Sequence, residues 1–215
     1  MVISHTHNFI FVHTYKVAGT SITEALAPFG LINPPTNLRL ATALRATNSN
    51  RLLRAISRRV LHSYSHHDSV TTIQNKTEQR IWQGYFKFAF VRNPFDWQVS
   101  LYHYISQNKR HFLHHNVKGM TFEEYVEWRV YHKLKTQSDF LADSSGKIGV
   151  DYIGRYESLS EDMQHIAQKL GLILPLPHLN RSVRSGDYRR YYGPTTRKMI
   201  EDVFVEDLLN FGYDF

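Results

Sequence analysis

The chain has 215 residues, of which 42% are hydrophobic and 13% aromatic, so it can bury a sizeable core and is not of disordered composition. Lysine and arginine outnumber aspartate and glutamate by 26 to 19, and the net charge of +7 predicts attraction to anions. There is no cysteine, which excludes disulfides, thiolate metal sites and a cysteine nucleophile.

The N-terminal stretch MVISHTHNFIFVHT has no basic region leading into a long apolar run, so it does not resemble a signal peptide. No apolar run approaches the roughly 18–20 residues that span a bilayer. We therefore expect a cytoplasmic protein, although an anchor lying outside this chain would leave the same sequence.

The first predicted strand covers residues 8–14, and a short loop carries Lys16 and Gly19 into a helix over 20–27. Backbone amides at such a helix start suit a phosphate or sulfate, and Thr20 and Ser21 add hydroxyl donors. The nucleotide-triphosphatase P-loop needs a lysine after its second glycine. Here the lysine precedes the glycine, which disfavours an ATPase.

The alternation of apolar strands and amphipathic helices is interrupted over residues 28–62, and the chain becomes strongly basic. Asn33-Pro34-Pro35 interrupts the pattern, and the basic stretch LRLATALRATNSNRLLRAISRRVL follows. Leu53, Ile56 and Val60 lie on one helical stripe, with arginines on the other faces. We expect a basic helical insertion here.

The stretch SYSHHDSV at 63–70 concentrates histidines. Histidine is the side chain best suited to act as a general base near neutral pH. Histidines one helical turn apart also suit a metal site. The candidates for that alternative are His62, His66, His67 and Asp68, with a later cluster of His111, His114 and His115. Because cysteine is absent and carboxylates are few, we expect no metal.

A second strand is predicted over 85–91, and Arg92 follows it directly. Asn93 is the predicted N-cap of the next helix, and Pro94 fits the first helical position. Thr121 and Glu124 predict a capping box ahead of another helix.

The C-terminal part continues the alternation, with a strand over 150–156 and a helix capped by Ser158 and Glu161 that ends near Gly171. Pro194 begins a last helix, which Gly212 ends. Ile200, Phe204 and Leu208 share one face of that helix. Strands alternating with helices predict an α/β fold with a mainly parallel sheet, in one domain over residues 1–215.

Two segments, YKVAGTS after the first strand and FVRNPFDWQVS after the second, resemble the two cofactor signatures of the sulfotransferases. These enzymes use 3′-phosphoadenosine 5′-phosphosulfate (PAPS). DYIGRYESL and the C-terminal YYGPTTRKMIEDVFVEDLLNFGYDF resemble the branch that contains carbohydrate sulfotransferases and their bacterial relatives. The resemblance implies a P-loop-like fold of three layers, in which helices flank a central sheet.

The resemblance also implies roles for individual residues. Lys16, Ala18, Gly19, Thr20 and Ser21 correspond to the loop that binds the 5′-phosphosulfate. Arg92 and Ser100 correspond to the site for the 3′-phosphate. Tyr15 and Val17 depart from the usual proline and threonine, but the backbone amides survive both changes.

Related carbohydrate sulfotransferases often place a catalytic histidine between the two signatures. We therefore assign the general base to His67, with His66 as the alternative; in some relatives the base is a glutamate. Lys16 is the expected catalytic cation. The loop HLNRSVRSGDYRRYYG resembles the one that closes over the nucleotide, and its predicted contacts are Arg181 and Ser182.

These expectations define a PAPS-dependent sulfotransferase that acts on a hydroxyl of a carbohydrate or glycolipid, with the 28–62 insertion on the acceptor side. No nucleic-acid partner is expected. The alternative is a non-catalytic basic protein that binds nucleic acid or an acidic polymer through residues 39–59. Those arginines are not interleaved with aromatic residues as they are in single-strand binders, which weighs against it.

Overall fold

A computed structural model of the protein describes residues 1–32, 64–132, 135–174 and 187–215. Most of the predicted insertion at 28–62, including its helical stripe, lies outside the described residues. The predicted contacts Arg181 and Ser182 also lie outside them.

Five strands form a single sheet in the order β3-β1-β2-β4-β5. They are β1 (Val2–Ser4), β2 (Phe9–Val12), β3 (Leu31–Ile32), β4 (Phe86–Val91) and β5 (Tyr152–Arg155). The three predicted strands are β2, β4 and β5, and they run parallel to one another. Strand β1 pairs antiparallel with both β2 and β3. Thus the first residues of the predicted insertion belong to the sheet.

Ten α-helices surround the sheet among the described residues. They are α1 (Gly19–Leu26), α2 (Val70–Lys76), α3 (Gln79–Gly84), α4 (Pro94–Gln107), α5 (His114–Val117), α6 (Phe122–Tyr131), α7 (Gln137–Leu141), α8 (Leu159–Leu170), α9 (Pro194–Val203) and α10 (Val205–Phe211). A 3₁₀ turn covers Tyr188–Tyr191. No helix in these described ranges has both the length and the apolar character needed to cross a bilayer.

The central strands are apolar throughout because both faces of the sheet are covered. On one face, Ile10, Val12 and Ala89 pack with residues of α2 and α3. On the other face, the phenylalanines of β2 and β4 pack with α1 and α8. A third cluster joins α4, α6 and α9 beside the sheet. The predicted α/β class, with helices flanking a central sheet, is confirmed.

Most predicted helix ends are confirmed. The Asn93 side chain accepts a hydrogen bond from the Phe95 N–H, and Pro94 begins α4. Thr121 and Glu124 form the predicted capping box. Gly171 and Gly212 adopt left-handed conformations after α8 and α10.

Two C-terminal details differ from prediction. Ser158 does precede α8, but its hydroxyl donates to the Asp162 carboxylate instead of capping a backbone N–H. The last predicted helix is divided at Phe204, whose buried ring packs edge-on against Trp97 of α4. Helical periodicity alone does not reveal this tertiary contact.

Candidate active site

The loop between β2 and α1 turns sharply because two of its residues adopt left-handed conformations. Lys16 has a φ of 59° and Ala18 a φ of 61°. Helix α1 begins at Gly19, and the first N–H groups of any helix have no acceptor within that helix. This turn therefore directs several backbone donors, together with Thr20 and Ser21, toward one point at the end of β2.

Gly19 is required by a close contact within the loop. A Cβ atom at this position would lie 1.8 Å from Nε2 of His13. The His13 ring is buried against the loop, and burial lowers its pKa to about 3. His13 is therefore a neutral wall of the site at physiological pH.

Arg92 is held at the end of β4 by contacts on all sides. Its guanidinium donates to the Asp96 carboxylate from Nε at 2.7 Å and also from Nη2. Its Nη1 donates to the Lys16 carbonyl at 3.3 Å, and the group lies 4.0 Å from the Tyr156 ring centroid. The Gln137 amide brackets the backbone of Arg92, accepting from its N–H and donating to its carbonyl.

Helix α4 presents one face to the same place. Asp96, Ser100 and Tyr104 follow one another at four-residue spacing, which aligns them along the helix. The Lys16 Nζ lies 4.2 Å from the centroid of the Tyr104 ring. Burial raises the pKa of the Asp96 carboxyl, and the positive charge of Arg92 opposes that effect.

Burial, with a further contribution from nearby Arg92, lowers the pKa of the Lys16 ammonium. Two cations thus stand close together in a partly desolvated place. Such an arrangement disfavours the charged form of lysine unless an anion enters, so the site is electrostatically matched to an anionic ligand.

These elements enclose a cleft of about 270 Å³. Every predicted site residue that the structure describes lines it: Lys16, Ala18, Gly19, Thr20, Ser21, His67, Arg92 and Ser100. The remaining lining residues are His13, Tyr15, Tyr104 and Tyr156. The two sequence signatures, about 75 residues apart, therefore form one cleft at the carboxyl ends of neighbouring parallel strands.

His67 stands at the wall of this cleft in a defined orientation. Its Nδ1 lies 3.1 Å from the His13 carbonyl, an atom that only accepts, so Nδ1 carries the proton and Nε2 is left as an acceptor. The His67 ring also contacts Tyr15, at 4.2 Å between centroids. Burial lowers the pKa of His67, and the hydrogen bond to His13 opposes this shift.

The alternative base is positioned differently. His66 and His67 are both exposed, but only His67 is among the described residues that line the cleft. The ring centroid of His66 lies 5.5 Å from that of His13, on the N-terminal side of His67. The geometry of the described residues therefore favours His67 over His66 for contact with a ligand in the cleft.

The metal alternative gains no support from the described part of the chain. Within those residues no group of three histidine or carboxylate side chains could hold a metal ion. His114 is buried and bonded to the Ile105 carbonyl, while His111 contacts Tyr15. His62 lies outside the described residues.

Five residues of the site, His13 at the end of β2 among them, were not singled out from the sequence. Asp96 and Tyr104 could have been inferred from the sequence, since each lies four residues from Ser100 on α4 and so shares its helix face. Tyr156 and Gln137 could not be inferred in this way, because they reach Arg92 from the residue after β5 and from the start of α7 only through the fold.

Known proteins resemble this chain in sequence and in fold. Residues 1–214 match the family model described as "Sulfotransferase family". An uncharacterized protein from Archaeoglobus fulgidus is 30% identical over 120 residues, which cover 55% of this chain and 94% of that protein. The crystal structure of mouse sulfotransferase SULT7A1 complexed with PAP is similar at a TM-score of 0.55 and 14% identity, covering 97% of this chain and 86% of the mouse chain.

Proposed function

Because the chain belongs to the sulfotransferase family, we propose that it transfers the sulfuryl group of PAPS to a hydroxyl group of a carbohydrate or glycolipid, and that the cleft is its active site. One observation carries the proposal: both predicted anion-binding segments line one cleft, where Arg92 Nη1 donates to the Lys16 carbonyl at 3.3 Å. The mouse sulfotransferase of similar fold contains PAP, which is PAPS without its sulfuryl group.

The loop before α1 is assigned to the 5′ end of the nucleotide. The backbone amides of Gly19, Thr20 and Ser21 are suited to the 5′-phosphate, since a helix N-terminus binds anions through unpaired N–H groups and the helix dipole. The ammonium of Lys16 neutralises charge on the oxygen that links sulfur to this phosphate. That charge grows as the bond breaks, so the stabilisation is greatest in the transition state.

Arg92 and Ser100 are assigned to the 3′-phosphate. Arginine meets phosphate oxygens in pairs because its donors form a planar fork. Three of its five N–H donors are engaged by Asp96 and Lys16 among the described residues, which leaves two for phosphate oxygens. The ion pair with Asp96 fixes the direction in which those two donors point.

His67 is assigned as the general base. Its Nε2 accepts the proton of the acceptor hydroxyl while the hydroxyl oxygen forms a bond to sulfur. The bond from sulfur to the phosphate oxygen breaks, and PAP leaves with that electron pair. The nearest analogy is phosphoryl transfer, in which positioning and charge stabilisation supply most of the catalysis. The sulfuryl group carries less negative charge than a phosphoryl group, so protein cations suffice for this mechanism.

Three further parts of the proposal rest on sequence. The carbohydrate or glycolipid acceptor follows from the resemblance of the C-terminal segments to one branch of the family. A cytoplasmic location is included as a proposal, in keeping with the stretch MVISHTHNFIFVHT, which does not resemble a signal peptide. One domain over residues 1–215 is supported by a family match that extends over nearly the same range.

Transfer from radiolabelled PAPS to a panel of sugars and glycolipids tests the proposal. We expect labelled product with the parent chain, and His67→Ala should lower turnover by about 100-fold or more while PAP still binds. His115→Ala, which changes an exposed histidine outside the cleft, is the matched control and should retain turnover. Full turnover by His67→Ala would remove His67 from the mechanism.

A further inference from the structure

A second cavity of about 290 Å³ lies next to the cleft. This volume is near the lower end of the range for small-molecule sites, roughly 300–1,000 Å³. Its walls are mainly apolar and come from α4, α7 and the segment after α4, with Trp97, Leu101, Ile105, Phe112, Leu113 and Phe140 as the principal side chains.

Tyr15 is shared by the two spaces. It lines both the cleft and the cavity. On the cleft side its ring lies 4.2 Å from that of His67, and its hydroxyl is 3.3 Å from Nε2 of His111, which lines the cavity. The cavity is therefore separated from the proposed base by the width of one aromatic side chain.

One wall of the cavity carries a buried cation. Arg129 is only 5% exposed, and its guanidinium donates to the Gln98 side chain and to the Lys135 carbonyl. No carboxylate of the described residues lies within ion-pair distance of it. Asp207 instead accepts from the backbone amides of Gln137 and Ser138. Burial lowers the pKa of Arg129, but the charge of buried Asp207 opposes this shift, so the cation has an opposite charge nearby. The cavity thus combines apolar walls with the polar head group of Arg129.

We propose that the cavity binds the hydrocarbon part of the acceptor, which makes the acceptor an amphipathic glycoside instead of a free sugar. The inference rests on the proposed function, because it places a hydroxyl of the sugar in the cleft next to His67. The hydrocarbon part then passes Tyr15 and displaces water from the apolar walls.

The test compares octyl β-glucoside, kept below its micelle concentration, with methyl β-glucoside in titration calorimetry on PAP-loaded protein. We expect the octyl compound to bind about tenfold or more tightly, since several methylene groups leave water. Leu113→Trp, which fills the cavity, should remove the difference. Phe112→Ala should reduce it, because this ring lines the cavity although it is 80% exposed and its loss should not impair folding.

Tyr131→Ala is the matched control, since this ring is 82% exposed and outside the lining of the cavity. This variant should still bind octyl β-glucoside more tightly than methyl β-glucoside, by the same factor as the parent chain. Equal affinity for both glucosides, no binding of either, or an octyl preference that survives both cavity variants would overturn the inference. PAP affinity is measured first in the same samples. A protein that does not bind PAP would contradict the proposed function, and this result is obtained before any glucoside is added.

Discussion

Lys16 combines a strained backbone with a desolvated charge. A left-handed conformation costs a residue other than glycine about 1–2 kcal/mol, and Lys16 adopts one at a φ of 59°. Its ammonium contacts the Tyr104 ring in a place where burial and Arg92 lower its pKa. Strain and desolvation together are expected where a side chain is held ready for a ligand.

Lys16→Ala should reduce kcat by about 100–1,000-fold, the usual effect of removing one group that stabilises developing charge. PAP binding should weaken much less, because the backbone amides remain. Lys118→Ala removes an exposed lysine outside the cleft and should leave kcat unchanged. The assignment fails if both variants turn over like the parent in a radiolabelled PAPS assay.

The pH dependence of kcat/KM for PAPS, which reports the free enzyme, tests His67. The base must be neutral, so activity is complete above its pKa and falls as pH falls through it. Because burial lowers that pKa below the ordinary value of 6.5, kcat/KM should fall to half of its plateau below pH 6.5. A half-maximal point clearly above pH 6.5 would contradict His67 as the base.

At the scale of elements, the β4–α4 connection builds the side of the cleft that carries Arg92, Ser100 and Tyr104. Arg92 follows the strand directly, Asn93 caps the helix, and the second turn of α4 then presents Ser100. These positions follow from strand propensity, capping and helical spacing, which are local and can be predicted from sequence. The contacts that orient Arg92 come from Gln137 and Tyr156, which approach only after the sheet has formed.

The distinction between local sequence signals and tertiary contacts also explains why some elements were not predicted. Strands β1 and β3 have three and two residues, too few for a period of two to be recognised. They are strands because β1 can pair with β2 through a tight turn in which Asn8 has a φ of 52°. Short helices such as α5 and α7 are likewise set by tertiary contacts more than by propensity.

A pair of glycine substitutions tests the packing of α1 against β2. Gly19→Ala should cost about 1–3 kcal/mol of unfolding free energy and weaken PAP binding, because the new Cβ would overlap His13. Gly84→Ala, at the end of α3 with open space around it, should be neutral or slightly stabilising. Urea unfolding distinguishes the two. Equal stability of both variants would mean that His13 does not pack on Gly19.

For the whole molecule, the sheet places the ends of β2 and β4 side by side, and the helices close a cleft over them. The net charge of +7 then favours the approach of a multiply charged nucleotide. The sequence motifs predicted the residues of the β2–α1 and β4–α4 connections that line this cleft. They did not reveal the apolar cavity. Trp97, Leu101 and Ile105 share a four-residue spacing on α4, but the other walls come from separate elements that only the fold brings together.

The central claim is that one cleft holds both ends of a single nucleotide, and ligand-induced shifts in the melting temperature test it most directly. PAP should raise the Tm of the parent chain several degrees more than AMP does at equal concentration, because contacts with the 3′-phosphate stabilise the native state. Arg92→Ala should reduce the PAP shift to that of AMP. Equal shifts with PAP and AMP in the parent chain would contradict the account.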